Sequence, residues 1–313
     1  RFVKTVLDNG LRVVTEQVPY VRSVSLGAWV QVGSRDELSH ERGISHFLEH
    51  MFFKGTARRN AFDIANSLES LGGSLDAFTY RDLTCLYARV LDEDLEVALD
   101  VLADMLLNSS MEEREIEKEK RVVLEEIQNV EDTPDDLIHD LFAESIWGTH
   151  PVGAPILGTP RTVKSFNREV LAEYLARRYR PERIVLAAAG NLTHDHVVAL
   201  ASRLFNYLPP SAEPYVREIP GDIARADRHV QRDIGQTHIV LGARSFAYTH
   251  PRQYDLMVAN TALGGGMTSR LFQQVRENLG LAYAVYSYLE AMEDTGLFST
   301  YVACDGKRVD RAL

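Results

Sequence analysis

The sequence predicts an α+β protein assembled from two related copies of one domain. Strand-like alternation stands beside long helical patterns; an order of strand, helices and paired strands occurs twice; and a stretch of linker composition lies between the two occurrences. With 313 residues, 45% of them hydrophobic, the chain can bury a large core, and its length suits two domains better than one.

The first copy opens on a hairpin, residues 3–7 and 11–15 around Asp8-Asn9-Gly10, because Asn-Gly between alternating runs is a strong short-range turn signal. A strand over 23–33 precedes a short helix that Gly55 is expected to cap at its C-terminal end. A helix over 60–71 is broken by Gly72-Gly73, and extended runs follow over 74–80 and 83–90. Helices are expected over 95–108, 112–130, a stretch reaching Trp147, and 167–179; then come an apolar strand at 184–189 and a helix over 194–207. The segment Leu208-Pro209-Pro210-Ser211-Ala212-Glu213-Pro214 has linker composition. Beyond it the order restarts with a strand at 238–244, helices over 253–263 and 270–279, and strands at 282–289 and 297–303. The domains expected are therefore 1–208, a linker over 209–226, and a related second copy over 227–313 that stops early, as in a truncated form or a fragment.

Chemistry concentrates in His46-Phe47-Leu48-Glu49-His50. On a helix, positions i and i+4 share a face, so the two imidazoles can converge on one metal ion while Glu49 reaches a water beside it as general base. Ile44, Phe47, Leu48, Met51, Phe52 and Phe53 surround these polar residues, so the helix should be apolar nearly all round and buried. A buried His-Glu-His cluster is costly without a partner, and a divalent cation offsets that cost.

A hydrolytic zinc site takes three protein ligands and leaves one position open. The best source of the third is the long helix carrying Glu119 and Glu126, both in the stripe of Ile116, Val122, Val123, Ile127 and Val130, whereas Glu125 points away. Glu112 and Glu115 share that azimuth but lie near the helix start, where acids meet the helix dipole.

These residues carry a resemblance. The runs H-F-L-E-H-M-F-F-K-G-T and E-I-E-K-E-K-R-V-V-L-E-E-I resemble the inverted-zinc-motif peptidases, the relatives of pitrilysin and insulin-degrading enzyme, and most closely the mitochondrial processing peptidase-like branch. The resemblance implies duplicated metallopeptidase domains, each a mixed, largely antiparallel sheet packed with helices, the second incomplete and without a metal motif. It implies one Zn2+ per chain held by His46, His50 and Glu126, with Glu49 as base and Glu119 as the acid that supports the ligands from behind. It also matches Arg270-Leu271-Phe272-Gln273-Gln274-Val275-Arg276-Glu277-Asn278-Leu279-Gly280-Leu281-Ala282-Tyr283 to a stretch of the family's second domain, which makes Arg276 and Tyr283 donors to the substrate or its oxyanion. Residues 75–80, with Asp76, Ala77 and Phe78, match the edge strand that takes up an extended peptide by β-augmentation, although the family commonly has Asn where this chain has Asp76.

The function expected is a processing peptidase-like zinc endopeptidase cleaving extended peptides or unstructured N-terminal segments, as a homodimer or paired with a related subunit. The alternatives are a noncatalytic subunit or substrate-recognition partner of a peptidase-like complex, and a small-molecule metal hydrolase. The net charge of −11 argues against nucleic acid as a partner and suits cationic substrates. No apolar run approaches the length that crosses a bilayer, so no membrane partner is expected; a cytoplasmic location is expected, or the mitochondrial matrix after removal of a targeting segment. The two cysteines, Cys85 and Cys304, fit buried structural thiols in a reducing compartment. Gly264-Gly265-Gly266 lacks the Lys-Ser/Thr of a phosphate loop and fits a turn ahead of a helix, and His139, His150, His194 and His238 fit structural or surface roles.

Overall fold

A computed structural model describes residues 1–211, 215–221 and 225–313; of the linker expected at 209–226, residues 212–214 and 222–224 lie outside the described residues. The chain divides into two compact units, Arg1–Ile127 with Pro155–Val216, and Gln128–Ala154 with Arg217–Leu313.

In the first unit, β1 (Phe2–Val6) and β2 (Arg12–Gln17) form the expected antiparallel hairpin. Gly10 adopts the left-handed φ of 91° that the tight turn requires, and the Asn9 side chain accepts from the Leu11 amide and donates to the Phe205 carbonyl. The unit continues through β3 (Ser23–Val30), α1 (Ile44–Phe52), α2 (Ala61–Glu69), β4 (Ser74–Thr79), β5 (Thr84–Leu91), α3 (Leu95–Asn108) and α4 (Glu113–Asp132), whose last turn, from Gln128, falls in the second unit. After α5 (Pro134–Trp147), which belongs to the second unit, it resumes with α6 (Pro160–Ser165), α7 (Arg168–Arg178), β6 (Ile184–Gly190) and α8 (His194–Phe205).

The six strands run in the order β1-β2-β6-β3-β5-β4, with only the β2/β6 pair parallel, which gives the mixed, largely antiparallel sheet expected. One face of it, including Val24, Leu26, Ala28, Val30, Leu86 and Ala188, joins the helices in a single apolar core with Phe47, Leu48, Met51, Leu99, Leu102 and Val123. Strand β4 is an edge.

Three details differ from the sequence reading. Helix α1 ends at Phe52 rather than at a Gly55 cap: the Phe53 and Lys54 amides reach the His50 and Met51 carbonyls, so right-handed backbone closes the last turn. Gly55, at φ 134°, lies beyond and turns the chain toward Ser110, whose amide it accepts. In α4 the buried residues are Ile116, Glu119, Val123 and Ile127, whereas Val122 is 42% exposed because it falls at the margin of that stripe; Glu125 is exposed as expected. The segment expected as an ordinary helix over 270–279 is a π-helical stretch over Phe272–Asn278. It closes at Gly280, whose φ of 56° lets the Gly280 and Leu281 amides reach back to the Arg276 and Val275 carbonyls.

The second unit contains β7 (Thr237–Ser245), α9 (Gln253–Gly264), the π-helical stretch, β8 (Ala282–Ala291), β9 (Gly296–Cys304) and the short α10 (Val309–Ala312). Its sheet has the order β7-β9-β8, antiparallel throughout. Gly264, the last residue of α9, has no room for a side chain, since a Cβ there would lie 2.2 Å from the Ser287 amide nitrogen. Helix α5 packs on β7. Its His139 bonds the Tyr288 and Tyr286 hydroxyls at 2.9 and 3.0 Å, and its Ala143 and Trp147 cluster with Val152 and Met292. Both cysteines are free and buried, and among the described residues no helix is long and apolar enough to cross a membrane.

Candidate metal centre

Helix α1 is preceded by Gly43 at its N-cap, which has φ 91° and no side chain to cap the first turn. Glu37 does that work from a neighbouring loop: its carboxylate accepts the Gly43 and Ser45 amides at 2.7 and 2.9 Å. Ser45 and Tyr174 share a buried hydroxyl contact of 3.0 Å. Burial pushes the Glu37 carboxyl up to about 8, against the amides and the Ser45 hydroxyl that favour its ionised form. No sequence pattern singles Glu37 out; the one signal is an acid shortly before a helix whose N-terminal residue is glycine.

So anchored, α1 presents His46, Glu49 and His50 as half-buried residues while Ile44, Phe47, Leu48, Met51 and Phe52 enter the core. The two rings lie 4.5 Å apart. Helix α4 supplies Glu126, whose Oε2 is 3.8 Å from His46 Nε2 and whose Oε1 is 3.7 Å from His50 Nε2. These separations are too long for hydrogen bonds. They are near the roughly 3.3 Å between two donors that each lie about 2 Å from a shared tetrahedral ion.

A second observation bears on that fit. Glu126 Oε2 and His46 Nδ1 are buried without a hydrogen-bond partner among the described residues. A buried carboxylate oxygen is costly unless something meets it, and a cation among the three donors would do so. Donor atoms of His46, His50 and Glu126 all lie within 4.8 Å of one another, the only such group of three His, Cys, Asp or Glu among the described residues. His46 is held in its neutral, ligating form, its pKa lowered to about 4 by burial and by the neighbouring His50.

Glu119 stands behind His50, its Oε1 accepting from Nδ1 at 2.7 Å and its Oε2 meeting Lys54 Nζ at 2.7 Å. Burial acts to raise the Glu119 pKa, but the bonds from His50 and Lys54 prevail and lower it. On His50 burial acts to lower the pKa, and its carboxylate neighbours, Glu119 foremost, raise it overall. Glu49 accepts a short bond, 2.5 Å, from the Thr79 hydroxyl at the end of β4, and its pKa is raised by burial against that bond. Thr79 and Lys54 are contributors that sequence reasoning did not single out.

The structure thus brings His46, His50, Glu126, Glu49 and Glu119 together. It places Asp76, Ala77 and Phe78 on edge strand β4, where Asp76 accepts from the Tyr87 hydroxyl and Phe78 packs against Trp29, Tyr80 and Tyr87. Arg276 and Tyr283 belong to the second unit, with the guanidinium 4.3 Å from the Tyr283 ring centroid and donating to the Tyr283 carbonyl at 3.0 Å. His194 ties α8 to β1 and β2 through the Thr5 and Thr15 hydroxyls, a structural role.

Comparison with known proteins places these features in a family. Residues 12–160 match the model described as insulinase (peptidase family M16), and residues 165–313 match the peptidase M16 inactive domain. An uncharacterized zinc protease of Streptomyces coelicolor is 43% identical over 99% of this chain and 69% of its own length. The chain belongs to peptidase family M16. A second relative, the uncharacterized zinc protease YmxG of Bacillus subtilis, is 45% identical over 94% of this M16 chain and 71% of its own length. Two crystal structures share the fold. A protease from Helicobacter pylori superposes with a TM-score of 0.91 at 21% identity, over 99% of this chain and 77% of that one. A peptidase M16 inactive domain from Pseudomonas fluorescens superposes with a TM-score of 0.93 at 22% identity, over 99% and 76%. The named relatives come from bacteria and lend no support to the mitochondrial alternative.

Proposed function

We propose that this chain is a zinc-dependent endopeptidase whose substrates are extended peptides or unstructured N-terminal segments. The observation that carries the reading is the buried, unpartnered oxygen of Glu126 facing His46 and His50, with Glu49 beside them on the same helix. The naming of the relatives as zinc proteases supports zinc as the metal.

A zinc ion held by these three donors would act as a Lewis acid toward a water and the scissile carbonyl. Glu49 takes a proton from the attacking water and returns it to the leaving amine, a role suited by the burial that raises its pKa toward the operating pH. Thr79 holds one Glu49 oxygen and leaves the other for that exchange. Glu119 fixes the His50 ring, so that Nε2 faces the donor cluster. The edge of β4 offers backbone groups to a peptide lying antiparallel or parallel to it, which requires an extended segment and disfavours folded proteins as substrates. Arg276 and Tyr283 are assigned to the oxyanion by the family resemblance alone.

A fluorogenic peptide assay with parallel metal analysis tests the whole assignment. Cleavage should stop on addition of a chelator and return with Zn2+. Glu49→Gln should lower kcat by about 10²–10⁴-fold while zinc content is kept, Glu126→Ala should lose the metal, and Tyr283→Phe should lower kcat with zinc unchanged. Chelator-insensitive cleavage, or a Glu49→Gln rate equal to wild type, would sink the mechanism; absence of any cleavage by the metal-loaded protein would favour the noncatalytic alternative.

A further inference from the structure

Helix α4 offers the metal site two carboxylates, Glu119 and Glu126, seven residues apart and therefore about 20° apart around the helix. Both approach His50, at 2.7 Å from Nδ1 for Glu119 and 3.7 Å from Nε2 for Glu126. Spacing alone does not say which becomes a ligand.

They differ in two ways: Glu119 meets His50 from behind, at Nδ1, whereas Glu126 faces Nε2 of both imidazoles, and Glu119 alone is held by Lys54. Its ammonium occupies Glu119 Oε2 at 2.7 Å, so both oxygens of that carboxylate are engaged, one by an imidazole and one by a cation. The Glu119 side chain is only 4% exposed. Glu126 has no such partner, and its Oε2 is buried without a hydrogen bond among the described residues. Lys54 is itself well placed for this task. Its amide closes the end of α1 on the Met51 carbonyl, and the carbonyl of the next residue, Gly55, accepts the Ser110 amide, so the backbone carrying the ammonium is fixed on both sides.

We propose that Lys54 is a positioning residue of the metal centre: by holding Glu119 Oε2 it locks that carboxylate behind His50, and so fixes the ring whose Nε2 faces Glu126 and the donor cluster. The inference rests on the His46, His50 and Glu126 ligand set proposed above. His46 Nδ1 has no hydrogen-bond partner among the described residues, so the only imidazole braced from behind is His50, and the whole bracing runs through Glu119 to Lys54. Loss of groups that orient a metal ligand from behind typically weakens metal binding by about 10–100-fold. Lys54→Met retains most of the apolar stem and deletes the charge, whereas Lys54→Arg retains a donor for the same oxygen.

The test measures Zn2+ affinity by competition with a chromogenic chelator and records the visible absorption of the Co2+-loaded protein, which reports the ligand set directly. Lys54→Met should bind Zn2+ about 10–100-fold more weakly and shift the Co2+ bands, and Lys54→Arg should restore both. Glu119→Gln should weaken binding to a similar degree, and the double variant Lys54→Met with Glu119→Gln should be no weaker than Glu119→Gln alone, since the two residues act in series. That comparison stands even if Lys54→Met folds poorly, because Lys54→Gln can take its place in the same cycle. Wild-type affinity and an unchanged Co2+ spectrum in Lys54→Met, or strictly additive losses in the double variant, would overturn the role of Lys54 while leaving the ligand set intact. Failure of the wild-type chain to bind Zn2+, or undiminished binding by Glu126→Ala, would instead overturn the ligand set on which the inference rests.

Discussion

The hydroxyl of Thr79 settles which way the Glu49 carboxylate faces. It is a single contact of 2.5 Å between a strand end and a helix. Hydrogen bonds to charged groups contribute about 1.5–3 kcal/mol, which corresponds to roughly 10–100-fold in rate if the contact serves the reacting geometry. Thr79→Val keeps the branched shape and removes the donor. It should lower kcat by about that factor with little change in KM, and Thr79→Ser should recover most of the loss; a kcat equal to wild type in steady-state assays would show that Glu49 needs no such anchor. The residues legible from sequence are those linked by a local period: His46, Glu49 and His50 share one helix, and the i, i+4 spacing alone predicts their convergence. The helical wheel takes Glu126 only as far as its stripe, since it treats Glu119 and Glu126 alike; the family resemblance names Glu126, and in the structure the two are told apart by the side of His50 that each meets and by Lys54 on another segment. Thr79, Lys54 and Glu37 were illegible for the same reason. Each is an ordinary residue of its own segment whose partner is fixed by the tertiary fold.

At the scale of elements, strands and helices followed the hydrophobic periodicity closely, and α3 spans Leu95–Asn108 as the pattern implied. The differences are the short α6, which the periodicity did not mark, the π-helical form of Phe272–Asn278, an exposed Val122 at the margin of the α4 stripe, and terminations, where one backbone angle or one long-range acceptor decides the outcome. The start of α1 is such a place. Gly43 is in the left-handed region and a Cβ there would approach the Leu157 carbonyl to 2.5 Å, so a capping Ser or Asp does not fit and Glu37 caps from a distance. Its pKa of about 8 in the folded chain lies above the ordinary value of 4.5, so the native state binds the proton more tightly than the unfolded state does. The contribution to stability is therefore complete below about pH 4.5 and is lost as pH rises through 8, by roughly 5 kcal/mol at most. With chelator present to remove metal effects, the melting temperature of the wild-type chain should fall between pH 6 and 9 more steeply than that of Glu37→Gln. The glutamine keeps one acceptor oxygen, as the protonated acid does, but cannot ionise. Parallel pH profiles for the two proteins would remove Glu37 from this account.

The whole molecule is organised less simply than its sequence order. Reading the chain linearly assigns everything before the linker to the first domain, yet residues 128–154 form part of the second compact unit. The reason is packing. Helix α5 lies on β7; His139 bonds two tyrosine hydroxyls of β8; and three of the four members of the buried Ala143, Trp147, Val152 and Met292 cluster come from this earlier segment. Hydrophobic periodicity shows that a helix has an apolar face, but it does not identify the surface that covers it. The energetic weight of the segment is large, since truncating a buried Trp such as Trp147, which is 2% exposed, costs about 3–5 kcal/mol against the 5–15 kcal/mol that holds a typical domain together. A fragment of residues 227–313 should therefore show poor amide dispersion and no cooperative thermal transition. The same fragment joined to residues 128–154 through a flexible Gly/Ser linker should regain both, because the linker restores the helix to its sheet at high effective concentration. A cooperative transition of equal midpoint in the two proteins would mean that the β7-β9-β8 sheet is stable without α5, and that the boundary read from sequence order is the physical one.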